Sequence, residues 1–73
     1  MDPAKIREHL AEADENIRKG KARIAEQEKR ISLLAADGHS TDEAVATLKS
    51  MKELQETIEK HRQIILAELE KAS

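Results

Sequence analysis

From Ile6 to Leu34 one pattern runs without a break. Ile6, Leu10, Ala13, Ile17, Gly20, Ile24, Gln27, Ile31 and Leu34 follow one another at alternating steps of four and three. All but Gln27 are apolar or small. That spacing keeps them on one face of a helix and gives a strand no usable period, so the chain is constrained to a long helix with a partner along its seam. One edge of the seam carries Leu10, Ile17, Ile24 and Ile31. The other carries Ile6, Ala13, Gly20, Gln27 and Leu34, with small residues in its middle.

The boundaries follow from local chemistry. Asp2 suits an N-cap, because its carboxylate can accept from the free amides of the first turn. Pro3 then stands at the first helical position, where its missing N–H costs nothing. The first helix is expected over 3–37, a turn over 38–40 and a second helix over 41–71. Gly38 fits the left-handed residue just past a helix end. Ser40 with Glu43 fits a capping box, with Thr41 as an alternative cap. Asp42 and Glu43 suit the positive end of the helix dipole. Gly20 lies in phase with the seam and reads as a packing glycine inside the helix, at about 1 kcal/mol relative to Ala.

The second seam is Ala44, Leu48, Met51, Gln55, Ile58, Arg62, Ile65 and Leu69, again spaced by four and three. Val45, Leu54 and Leu66 widen it on both flanks, beyond what one partner helix covers. The fold class is therefore all-α: a two-helix antiparallel coiled-coil hairpin expected to dimerise into a four-helix bundle. The expected association face is Val45, Leu48, Met51, Leu54, Ile58, Ile65, Leu66 and Leu69. A 73-residue chain buries only about 60% of its extended surface, so a second copy would supply burial that one copy lacks.

A tight turn makes facing residue numbers add to a near constant, and two registers compete. Numbers adding to 82 pair Leu34 with Leu48 and Ile31 with Met51, match Gln27 to Gln55, and set Gly20 beside Arg62. Numbers adding to 75 pair Leu10 with Ile65, Ile17 with Ile58 and Ile24 with Met51, and leave the ends flush. Gln27, Gln55 and Arg62 are polar seam residues, the type that fixes register and oligomer order. Either hairpin is a rod about 50 Å long.

Several chemistries have no residues to carry them. There is no cysteine, hence no disulfide or thiolate metal site. There is no Phe, Tyr or Trp, which removes base stacking and aromatic anchors. Thirteen basic and fifteen acidic residues leave a net charge of −2, too small to draw in nucleic acid or an anionic membrane. Arg18, Lys19, Lys21 and Arg23 spread around more than half of a helix and have acidic neighbours at Glu15 and Glu26, so they read as solvated surface. Apolar runs are far shorter than the roughly 20 residues of a membrane span, and the N-terminal stretch is charged rather than signal-like. A cytoplasmic location is the expectation.

His9, His39 and His61 include no pair at i, i+4, and no Glu-x-x-His occurs, so no helical metal signature is present. His61 is expected to bond an acid such as Asp14 across the seam, and His39 to sit in the turn. Asp14–Arg18, Glu15–Lys19, Glu26–Arg30 and Glu56–Lys60 are acid-before-base pairs on the outer faces. A two-helix rod offers no shielded pocket for a general acid. No catalytic, cofactor-binding or metal-binding residue is assigned, and the chain is expected not to be an enzyme.

Leu34, Gly38-His39-Ser40-Thr41, Ala44, Leu48, His61-Arg62 and the run Ile65-Leu66-Ala67-Glu68-Leu69 together resemble short proteins of rhizobia and related α-proteobacteria. These are helical hairpins with a Gly-His-Asp/Ser-Thr turn and no assigned activity. The likeness implies a hairpin of bacterial origin and carries over no functional residue; Ser40 stands where Asp is expected, which keeps the capping role. The architecture is also similar, at the level of fold alone, to plasmid RNA-binding hairpin dimers. The functional expectation is a self-associating protein–protein interaction module without cofactors. The alternatives are a small regulator docking its second helix on another protein, and a nucleic-acid-binding bundle.

Overall fold

The computed structural model describes residues 2–72. Asp2 begins the first helix as expected of a cap: its side chain accepts from Ala4 N at 3.1 Å, and its carbonyl accepts from Lys5 and Ile6. Helix α1 runs Pro3–Ala36 and helix α2 runs Asp42–Ala72. They pack against each other along a hairpin of 55 × 15 × 11 Å. No strand occurs among the described residues.

The turn closes α1 in a Schellman arrangement. His39 N donates to Leu34 O at 2.9 Å and Gly38 N donates to Ala35 O at 3.1 Å. Gly38 has φ 75°, the left-handed conformation that side-chain-bearing residues resist. Helix α2 starts one residue later than expected, and this changes its cap. Thr41 stands at the N-cap position and its carbonyl accepts from Val45 N at 2.8 Å. Ser40 Oγ instead accepts from Asp42 N at 3.4 Å, so the Ser40–Glu43 box does not form. Asp42 and Glu43 occupy the first turn and Lys71 the last, each at the end where the helix dipole favours its charge.

The register is the one in which facing numbers add to 75. Gly20 lies against Gln55: a Cβ on Gly20 would stand 2.9 Å from Gln55 Cδ and overlap its Oε1. The register adding to 82 is ruled out, and with it the Gln27–Gln55 pair and the contact of Gly20 with Arg62. Each glutamine bonds backbone instead. Gln55 Nε2 donates to Ile17 O at 2.9 Å, and Gln27 Nε2 donates to Ala44 O at 2.9 Å. A helix carbonyl has a second lone pair free for this, so neither helix loses an internal bond.

The core is small and lies far from the turn. Ile6, Ala13 and Ile65 are buried, with Leu10 and Leu69 packed against them. Ala13 has no side chain beyond its methyl, which lets the helices approach there.

Candidate association surface

Every seam residue of both helices is buried or half-buried. The hairpin thus uses much of the expected association face for itself. Ile65 belongs to the core, while Leu48, Met51, Ile58, Leu66 and Leu69 are half-buried between or beside the helices. Of that set only Val45 and Leu54 stand well exposed, at 48% and 57%. Leu33 and Ile64, which the seam pattern leaves out, are exposed to 58% and 59%. These four do not form one patch. Val45 and Leu54 sit on opposite flanks of α2, and Leu33 and Ile64 project from outer faces.

The seam divides the rod into two long faces. On one, Asp14 accepts a hydrogen bond from Arg62 Nε, an ion pair between the helices. Sequence reasoning gave Asp14 to His61. Arg62, one residue on, lies on the Asp14 side of the seam and takes it, while His61 faces the other side. Asp14 is then committed across the seam, and Arg18 turns to Glu15, its Nε donating to Glu15 Oε2 at 3.1 Å. The expected Asp14–Arg18 pair is replaced by these two. The bond from Arg18 holds the Glu15 carboxyl below the ordinary glutamate range, and Glu15 in turn raises Arg18. Both groups are on the open surface, where solvent screening keeps such a pair weak.

On the opposite face, His9, Glu12, Ala13, Asn16, His61 and Ile65 line one open hollow near the free end. His9, His39 and His61 are all exposed. Among the described residues no group of three or more His, Asp or Glu side chains is arranged to hold a metal ion. A second hollow, apolar at its base, is lined on α2 by Val45, Leu48, Lys49, Lys52, Glu53 and Glu56. No described helix is long and apolar enough to cross a membrane.

Gln27 and Gln55 end as inter-helix brackets and Arg62 as an inter-helix ion pair, so the polar seam residues all cross between helices. Gln55 is only 7% exposed, and its partner is a backbone atom. What sequence reasoning missed is the Gly20–Gln55 fit. Its signal was there to read, since a glycine held in phase in a long helix marks a place where something bulky must come close.

Comparison of the chain with family models, with curated proteins and with solved structures returns no match.

Proposed function

We propose that the chain is a non-enzymatic interaction module that associates with a second copy of itself, two hairpins forming a four-helix bundle. One observation carries this reading. The chain exposes 5574 Å², whereas a compact monomer of 8.2 kDa exposes about 4,500 Å². The surplus, about 1,000 Å², is surface that a single hairpin cannot close over. It includes half-buried Leu, Ile and Met side chains along the seam, whose remaining exposure a second layer of helices would remove.

The absence of catalysis belongs to the same proposal. The hollows are open to solvent on a two-layer rod, and general acid–base chemistry needs a shielded group. The groups with displaced pKa values, Glu15 and Arg18, form a surface pair.

Light scattering behind a sizing column, across a range of concentrations, tests the reading. Refractive index must be the detector, because the chain lacks Trp and Tyr. The expected mass is twice 8.2 kDa. A helical chain that stays at single mass at the highest concentration overturns self-association and directs the search to a heterologous protein partner.

A further inference from the structure

We infer, building on self-association, that the second copy docks antiparallel on the face that carries Asp14 and Arg62, with the two-fold axis at the level of the Ile17–Gln55 contact. The flanks of that face are complementary to themselves when reversed.

On α2 the flanking row recurs at every seventh residue: Val45, Lys52, Glu59, Leu66. It reads apolar, basic, acidic, apolar. Laid antiparallel on its own copy, the row sets Val45 against Leu66 and Lys52 against Glu59, each pair twice. On α1 the row on the same face is Arg7, Asp14, Lys21 and Glu28, alternating in sign. Reversed on itself it sets Arg7 against Glu28 and Lys21 against Asp14, whose Oδ1 accepts from Arg62 and whose second carboxylate oxygen can accept from another donor. The α1 row is centred between Ile17 and Arg18, and the α2 row between Gln55 and Glu56. These centres lie at one height, because Gln55 Nε2 bonds Ile17 O at 2.9 Å. A single two-fold axis therefore satisfies both rows at once.

The opposite face fails the same test. There α1 presents His9, Asn16, Arg23 and Arg30 and α2 presents Thr47, Leu54, His61 and Glu68. Reversal sets His9 against Arg30, Asn16 against Arg23, Thr47 against Glu68 and Leu54 against His61, with no pair of opposite charges and no apolar pair. Lys52 and Glu59 are exposed and stand too far apart on α2 to pair with each other. Between the two charged rows run two seam edges, Leu10, Ile17, Ile24 and Ile31 on α1 and Leu48, Gln55, Arg62 and Leu69 on α2, all half-buried except the buried Gln55. Six of these eight side chains are aliphatic, and this is the strip that a second hairpin would cover. Complementary rims of this kind set partner and orientation more than raw affinity.

Charge reversal with rescue by mixing is the test, read as mass by light scattering with helicity checked by circular dichroism. Lys52→Glu alone and Glu59→Lys alone should each weaken association by about tenfold, because every dimer loses two pairs and gains two repulsions. Mixed in equal amounts they should form a dimer again. One chain is then acidic at both positions and the other basic at both, so each of the two contacts joins opposite charges. A second measurement is V45C/L66C in this cysteine-free chain. These positions are about 32 Å apart on one helix, so oxidation should link two chains and never close within one. A dimer unaffected by the reversals, or one that V45C/L66C does not cross-link, overturns this interface and leaves self-association standing. A wild-type chain that is monomeric throughout overturns both.

Discussion

Near the open end of the rod, Ile6, Ala13 and Ile65 close a buried contact with Leu10 and Leu69 packed around them. Nearer the turn the apolar residues of the same seam are only half-buried, and two carboxamides cross it to grip backbone carbonyls at 2.9 Å. The contrast separates two jobs. Burial of apolar area is non-directional and holds the helices together without choosing among offsets. A hydrogen bond aimed at one carbonyl, with a glycine opposite to make room, holds one offset and adds little cohesion. Stability is thus concentrated at the open end and register at the middle.

The largest effect expected is at the open end. Ile65→Ala should cost about 2–5 kcal/mol, as for other buried isoleucines. Met51→Ala, at a half-buried position nearer the turn, should cost about half as much. Urea titration followed by circular dichroism, at concentrations low enough to keep the chain monomeric, compares the two. Equal losses would erase the contrast and mean that the middle of the seam is as well packed as the end.

A middle-sized effect is expected where Gly20 receives Gln55. Gln55→Ala should cost about 1 kcal/mol for its hydrogen bond. Gly20→Ala should come out near neutral, since about 1 kcal/mol of helix propensity is gained and the displaced Gln55 gives up a similar amount. The informative quantity is the coupling in a double-mutant cycle. Gln55→Ala should cost about 1 kcal/mol less when Gly20 is already replaced by alanine. Additive losses would show that the glycine and the glutamine act apart.

The smallest effect belongs to the ion pair between the two regions. Asp14→Ala should lower stability by no more than about 1 kcal/mol, because Arg62 and Asp14 are partly solvated. The loss should shrink further in high salt. A larger loss that ignores salt would place Arg62 in the core proper.

The two regions were also unequally legible. The open-end core sits on positions that apolar spacing alone picks out, and both seams follow the four-three pattern from end to end. The offset was harder. The turn is compatible with both candidate registers, and the residue that decides, Gln55, is read by its match to another side chain. Its real partner is a carbonyl of Ile17, and every residue offers a carbonyl, so such a bond leaves no pattern in the sequence. The Asp14 pairing failed for a different reason. His61 and Arg62 are neighbours in the chain, but one step along a helix turns the side chain by about 100°, so His61 faces the other side of the rod and only Arg62 meets Asp14. The association face was hardest to place, because the stripe that marks it also builds the hairpin's own seam.

The placement of the core has a kinetic consequence. Zipping from the turn at Gly38 brings together residues close in the chain first, and these early contacts are only half-buried. Ile6 and Leu69 are among the most separated residues that meet, so the contacts that reward closure come last, after most of the loop-closure entropy has been spent. A hairpin zipped only from its turn has gained the half-buried contacts and none of the fully buried apolar ones. Opening and closing should therefore be abrupt, and the helix turns around Ile6 and Ile65, which lie where helical proteins commonly fray first, should here be protected from hydrogen exchange nearly as well as the middle.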